Sequence, residues 1–455
     1  MKSHRLSVCV VIFTLPMGRM WCQQTAAVTT PRQLSLAQGE ELLVQRNQLI
    51  AASRYQVEVS EALRRIAGYK PNPVLHLGAE QVPIQSPVAG SVPRFFTTNS
   101  DAGANPVYTA QVTKIFERGG KRELRVGQAD ATVEASRAQA LDAFRTQLFQ
   151  LRQFFTNAIL ARENLKLAES IDQQYGETER LTVVRVAAGD LAGVEVSRVR
   201  AARVVYRQAV LDAQSSYQQA TRDILNVLDI HPGSEVPVSP TSNSPTQTPA
   251  LPAGLQNAVL VVAGELSDAP LGLSLQELRT RAMRDRPDAM AARNALRAAE
   301  IGTDLAEAQR KRDLAVGVEY QRVGSDHSLG ITTDVPLFAY NNQKAAIAQS
   351  VAQRHVAEAQ VRQIETQVLT DVDKAYVAWQ TARQAMDIYG REGVQEATRV
   401  RDVISYSYRR GEASLFELLD AQRTASQAAL AANQARGAYQ LALWQLEQAI
   451  GGSLR

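Results

Sequence analysis

The chain of 455 residues holds only two cysteines, Cys9 and Cys22, both within its first 22 positions. No disulfide framework, thiol nucleophile or cysteine-ligated metal is therefore available to the rest of the chain. Histidine is almost as scarce: His76, His231, His327 and His355 stand isolated, with no helical His pair and no nucleophile elbow beside them. Hydrolase and metalloenzyme readings fail on that inventory; no catalytic residue, cofactor or metal site is expected. Aromatic residues make up 6% of the chain, with three Trp and ten Phe, which excludes bulky cores and favours narrow ones of Ala, Leu and Val. Charge of one sign is lacking too. The 50 Lys+Arg and 46 Asp+Glu are interspersed, so nothing offers a footprint for nucleic acid. Beyond the amino terminus no apolar run approaches the roughly 18 to 20 residues of a transmembrane helix. If this chain crosses a membrane, it does so with strands.

What is present begins with a charged head, Lys2, His4 and Arg5, ahead of the apolar run Leu6 to Leu15. This is the pattern of a secretory signal over residues 1–27. Two processing routes stay open: cleavage at the small residues Thr25-Ala26-Ala27, or lipidation at Cys22, which Arg19-Met20-Trp21 precedes poorly.

The body of the chain is one unit written twice. Leu34-Ser35-Leu36 returns as Leu273-Ser274-Leu275, and at the same shift Ala52 meets Ala291, Gly78 meets Gly317 and Glu80 meets Glu319. Further on, Phe116 meets Phe338, Gly189 meets Gly411, Glu195 meets Glu417 and Tyr217 meets Tyr439. The shift changes between Glu80 and Phe116, where Pro83, Pro87, Gly90, Pro93 and Gly103 mark a longer loop in the first copy. The repeats span 34–230 and 273–450. The Pro-, Ser- and Thr-rich stretch between them, 231–272, reads as a linker, extended rather than packed from His231 to Gly254.

Each copy reads as helix, strand pair, very long helix, break, long helix. No Pro and no Gly after Gly127 interrupts Val126 to Tyr175, and Gln343 to Tyr389 is free of both, which predicts helices of about 45 to 50 residues, on the order of 70 Å each. Such lengths mean coiled coils or helical arrays. The strands alternate with a period of two: Leu314, Val316, Val318 and Tyr320 against Ala315, Gly317, Glu319 and Gln321; then Leu329, Ile331, Thr333 and Val335 against Gly330, Thr332 and Asp334. Leu75, Leu77 and Ala79 alternate with His76, Gly78 and Glu80; Tyr108, Ala110 and Val112 alternate with Thr109, Gln111 and Thr113. Segments of this length suit tilted membrane strands, apolar toward lipid and polar toward a lumen. Four cannot close a barrel and would leave unpaired edges in lipid, so several chains must pool them. A soluble coiled-coil scaffold or secretion component is the alternative.

Signal, duplicated long helices and two strand pairs together resemble the TolC family of outer-membrane efflux channels over residues 34 to 450. The most specific stretch is Tyr408-Arg409-Arg410-Gly411-Glu412-Ala413-Ser414-Leu415-Phe416-Glu417-Leu418-Leu419-Asp420-Ala421-Gln422-Arg423, similar to the family's second helix-turn-helix tip; Ala187-Ala188-Gly189-Asp190-Leu191 is a weaker copy. Phe116 to Arg122, and Val335 to Phe338 with Asn341 to Gln343, resemble barrel-to-helix junctions of the heavy-metal branch typified by CzcC. The resemblance implies a mainly α fold with a small β part. Each chain would give four strands to a trimeric 12-stranded barrel in outer-membrane lipid, continued by a helical tunnel through the periplasm. It implies as partners a periplasmic adaptor and an inner-membrane pump of RND type, with this chain a passive duct for heavy-metal cations or other small molecules.

By the same resemblance, Glu417 and Asp420 would form an acidic pore constriction, and rings of acids select cations. Such like charges would raise one another's pKa. Glu195 and Tyr408 match gate-tether positions, while Gly189, Asp190, Leu191, Gly411, Ser414 and Leu415 fall at the adaptor-contact tips. Ala413 and Val194 depart from the family pattern, so the closed-state latch is expected to differ or to be absent. The residues carry plainer readings as well: Ser414 and Glu417 make a capping box, and Asp420 can pair with Arg423 one turn on.

Overall fold

The computed structural model describes residues 33–80, 106–231, 260–266, 272, 274–337, 342–389 and 393–454. The expected signal segment, Cys22, most of the linker, and Phe338 and Asn341 lie outside the described residues.

Each repeat opens with two helices joined at a single extended residue. In the first, α1 (Leu36–Arg46) and α2 (Gln48–Ala67) meet at Asn47; in the second, α5 (Leu275–Asp285) and α6 (Pro287–Ala308) meet at Arg286. Ser35 and Ser274, equivalent in the duplication, cap α1 and α5 by accepting the Gln38 and Glu277 amides. The bends are equivalent too, and both carry a buried polar side chain. Asn47 Nδ2 donates to the Val227 carbonyl at 2.8 Å, as Arg286 donates to the carbonyl of Ala449, the repeat counterpart of Val227. Arg286 also holds Asp288 at 2.6 Å and Asp371 at 3.0 Å.

Strands β2 (Val74–Glu80), β3 (Val107–Phe116), β5 (Leu314–Val323) and β6 (Asp326–Asp334) form one antiparallel sheet in the order β2-β3-β5-β6. The helices continue that order. α2 leads into β2, β3 into α3 (Lys121–Ala187), α6 into β5 and β6 into α7 (Lys344–Ile388), and α2 packs on α3, α3 on α6, and α6 on α7. Both strand-to-helix turns place a left-handed residue before the helix, Gly120 at φ 71° and Gln343 at φ 64°. From the far end α4 (Val194–Val227) returns along α3, and α9 (Leu415–Ile450) returns along α8 (Val394–Arg410), which runs to that end, and packs on α7 and α3.

The first long helix exceeds its expected length. α3 runs 67 residues without a break, about 100 Å at 1.5 Å per residue. Gly176 does not end it because a lone helical glycine costs only about 1 kcal/mol and the Arg203 guanidinium of α4 lies against it, 3.0 Å from where a Cβ would stand. The second copy does break: α7 has 45 residues and α8 begins after Gly393.

Apolar packing concentrates where the helix pairs overlap. One core gathers Leu43, Leu151, Phe155, Ile224 and Leu228; the other gathers Leu278, Val368, Val372, Trp379 and Leu446. The linker's end joins the first core, which its composition did not announce. Leu260, Val261 and Val262 are buried, and β4 (Val262–Ala263) pairs in parallel with β1 (Leu34–Ser35). Arg162 caps the Val262 and Gly264 carbonyls at 2.7 Å each, and Tyr217 donates to the Leu260 carbonyl. Among the described residues no helix is long and apolar enough to cross a membrane.

Candidate functional site

The register of the sheet sorts the side chains of its central rows by polarity. On one face, Leu75, Val112, Val318 and Ile331 form a row across four strands, and Leu77, Ala110, Tyr320 and Leu329 form the next. These residues are uncovered: Leu77 is 71%, Leu329 77% and Ile331 78% exposed. A contiguous apolar face of this kind is a surface for another hydrophobic phase. The opposite face holds the rows His76, Gln111, Glu319, Gly330 and Gly78, Thr109, Gln321, Ser328, small and polar throughout. Gly317 is required there, since a Cβ would come 2.5 Å from Thr332 Oγ1 and 2.9 Å from Thr113 Oγ1. Every carboxylate of the four strands, Glu80, Glu319, Asp326 and Asp334, belongs to this polar face, while Lys114, Arg322 and His327 belong to the apolar one.

At the other end of the molecule the two helical tips repeat one design. Gly189 ends α3 at φ 83° and Gly411 ends α8 at φ 81°, a conformation that costs glycine nothing. In each, the next amide reaches back to close the helix: Asp190 N–H to the Arg185 carbonyl at 2.9 Å, and Glu412 N–H to the Ser407 carbonyl at 2.9 Å. Asp190 is exposed and Leu191 half-buried. Ser414 caps α9, and Glu417 Oε2 accepts from the Ser414 amide at 2.7 Å and from its hydroxyl at 2.9 Å. Those bonds hold the Glu417 carboxyl below its ordinary pKa. Within one chain the shift is thus opposite in sign to that of a crowded acidic ring, which needs neighbouring copies. Glu417 and Asp420 both face solvent, and Asp420 pairs with Arg423 at 2.7 Å.

The structure does not bring Glu195 and Tyr408 into contact through their polar groups. Glu195 pairs with Arg198 at 2.9 Å. Tyr408 is 1% exposed, packed with Val199, Leu415 and Leu418, and its hydroxyl lies 3.0 Å from Thr182 Oγ1. Arg185 sits over the Tyr408 ring and donates to its carbonyl at 3.1 Å. Tyr408 therefore ties α8 to α3 inside its own chain. Leu415 likewise turns into the tip's own core, leaving Phe416, 75% exposed, as the apolar residue at the surface; alternation within the first helical turn puts adjacent residues on different faces. Sequence reasoning missed Thr178, Thr182, Arg185 and Gln422, which form the buried polar seam between α3 and the α8–α9 pair, with Gln422 donating to Thr178 at 3.0 Å. The signal was available: Thr178 and Thr182 stand one turn apart in an otherwise apolar stripe. Among the described residues no cluster of His, Cys, Asp and Glu could hold a metal.

The model of the outer membrane efflux protein family matches residues 41–228 and 278–452, covering both repeats. The chain is similar to the cobalt-zinc-cadmium resistance protein CzcC of Cupriavidus metallidurans, 21% identical over 320 residues that cover 70% of this chain and 71% of that protein. Among solved structures, the outer-membrane channel OprN superposes with a TM-score of 0.71 at 19% identity, covering 92% of this chain and 90% of that one. CusC superposes with a TM-score of 0.70 at 16% identity, covering 92% of each chain. The Neisseria gonorrhoeae MtrE outer membrane channel does so at 0.69 and 18%, covering 93% and 90%. The duplicated helices, the uncovered apolar sheet face and these matches agree: the chain belongs to the outer membrane efflux protein family, a channel of the outer membrane with its helices in the periplasm, and not an enzyme.

Proposed function

We propose that three copies assemble into a continuous duct that passes divalent metal cations outward, without catalysis and without an energy source of its own. The sheet ends in two open edges, β2 and β6, and unpaired backbone cannot remain in lipid. Three four-stranded sheets joined edge to edge would close a 12-stranded barrel with the apolar rows outside. The observation that carries the cation reading is the sorting of charge: all four strand carboxylates per chain lie on the polar face, which lines the lumen in this assembly, and Glu417 and Asp420 face solvent at the far tips. A lumen lined this way attracts cations, and the relative CzcC is a cobalt-zinc-cadmium resistance protein.

In this reading Glu417 and Asp420 from three chains form the constriction. The exposed tip surface at Gly189, Asp190, Leu191, Gly411 and Ser414, with Phe416, receives a periplasmic adaptor that couples the duct to an inner-membrane pump of RND type. Tyr408 acts in the gate as an internal anchor of α8 on α3, and Glu195 as an acid at the start of α4 free to exchange its Arg198 partner when copies close together. The experiment is a deletion strain exposed to zinc, cobalt, cadmium and copper and, in parallel, to a panel of dyes. Collapse of divalent-metal tolerance alone is expected; collapse of dye tolerance with metal tolerance intact overturns the cargo assignment.

A further inference from the structure

The apolar face of the sheet carries cations at both ends and no acid anywhere along it. Lys114 lies in the row of Val316 and Thr333, near the helices. At the opposite end the row Ala79, Tyr108, Arg322, His327 crosses all four strands, just beyond the row that carries Tyr320 and Leu329. From Val316 to Arg322 is six residues, about 20 Å along the strand. At a tilt of about 40° that is about 15 Å along the membrane normal; Lys and Arg extend their charged heads beyond their own Cα level, so the two rows bracket an apolar band that fits within the roughly 25 Å of membrane barrels. With the helices in the periplasm, the Arg322 row stands at the outer leaflet.

The local geometry at that row is directed outward. Arg322 Nε donates to the Gly324 carbonyl at 2.9 Å, which folds the guanidinium over the β5–β6 turn and leaves its terminal nitrogens without an acidic partner among the described residues. The Tyr320 hydroxyl lies 2.5 Å from His327 Nδ1. In the tautomer where tyrosine donates to Nδ1, Nε2 carries the proton and is a donor even on the neutral ring. Asp326, the nearest acid in sequence, points to the other face. A guanidinium fork, an imidazole donor and two tyrosines on a sheet face that carries no acid among the described residues, bordered by exposed aliphatic side chains, match a phosphate attached to acyl chains.

We propose that Arg322 and His327, flanked by Tyr108 and Tyr320, bind the phosphate of an outer-leaflet glycolipid. Three such sites would ring the assembled barrel. The site fixes its depth and orientation in the membrane, a role separate from transport of cargo. The inference rests on the apolar face meeting lipid. Its test is native mass spectrometry of the full-length detergent-solubilised assembly with added diphosphoryl lipid A, dephosphorylated lipid A or inorganic phosphate. Diphosphoryl lipid A should be retained on the wild type, and retention should fall roughly tenfold or more in Arg322→Gln/His327→Gln. Arg322→Lys should fall between the two, and Lys114→Gln should match the wild type. Folding of each variant is followed by the heat resistance of the oligomer on gels. Equal retention of the phosphorylated and dephosphorylated lipids, unchanged retention in the double variant, or displacement of the lipid by millimolar inorganic phosphate overturns the site. A wild-type chain that binds neither lipid and stays dispersed without detergent overturns the barrel reading beneath it.

Discussion

Replacing Glu417 separates its capping of α9 from the constriction proposed for it, because the proposed role depends on charge and the cap only on an acceptor oxygen. The carboxylate has no cationic partner among the described residues and accepts from the Ser414 amide and hydroxyl, which keeps it ionised well below neutral pH. Asp420 is matched by Arg423 at 2.7 Å. The cluster of Glu417, Asp420 and Arg423 therefore carries one net negative charge per chain and three per trimer. Glu417→Gln keeps an oxygen for Ser414 but removes that net charge. Adding Asp420→Asn strands Arg423 and makes the ring net positive. A single carboxylate about 4 Å from the permeation path enriches a monovalent cation roughly fivefold and depletes an anion by about as much in a water-filled passage, so each step should lower the cation-to-anion permeability ratio by at least about fivefold and up to about 25-fold. The assay is the zero-current potential of purified channels in planar bilayers under a salt gradient. Glu417→Gln should move it toward the anion value and the double variant further, whereas Glu417→Ala should match Glu417→Gln in potential while also weakening the cap of α9. Unchanged potentials in the double variant refute the ring.

Other consequences are as direct. Val318→Arg, at a lipid-facing position, should destabilise the assembled barrel by about 2 to 4 kcal/mol, while Thr332→Arg on the polar face should be tolerated; heat resistance of the oligomer compares them. Tyr408→Phe removes the bond to Thr182 and should cost about 1 kcal/mol and raise leakage of a large polar dye into cells; leakage equal to wild type in Tyr408→Ala as well contradicts an anchor in the gate. Arg286→Met leaves Asp288 partly buried without its guanidinium, a loss of roughly 3 to 5 kcal/mol at neutral pH. Burial pushes the Asp288 carboxyl up, but the bonds from Arg286, with help from Arg145 and the Ala289 amide, hold it below the usual carboxylate range. A depressed carboxyl stabilises above its unfolded value near 4 and loses that contribution as pH falls through the folded value. The deficit of the variant, read by denaturant unfolding, should therefore shrink between pH 7 and pH 3; a constant deficit rules out the ion pair as its source.

The periodicities carried most of the architecture. Strict alternation in Leu314 to Gln321 announced both faces of the sheet because a strand's faces are set by parity alone, and the duplication put Gly189 and Gly411 at equivalent helix ends. Length was harder. Gly176 reads as a break in the sequence, yet α4 packs across it and the helix continues. Partners of single polar side chains were the least legible, since they are fixed by helix packing across more than 200 residues: nothing local to Tyr408 announces its bond to Thr182. Likewise Leu260 to Val262 enter the first core through a parallel pairing with Leu34 and Ser35 that no local pattern encodes.

Which face of the sheet meets lipid decides whether the assembly is a membrane barrel. Single cysteines in a background without Cys9 and Cys22, placed at Val318 and Ile331 or at Gln111 and Thr332, can carry spin labels in the purified assembly reconstituted in bilayers. Labels at 318 and 331 should collide with dissolved oxygen and be shielded from a water-soluble paramagnet, and labels at 111 and 332 should do the reverse. Equal access of the aqueous paramagnet to all four positions would contradict a lipid-embedded barrel.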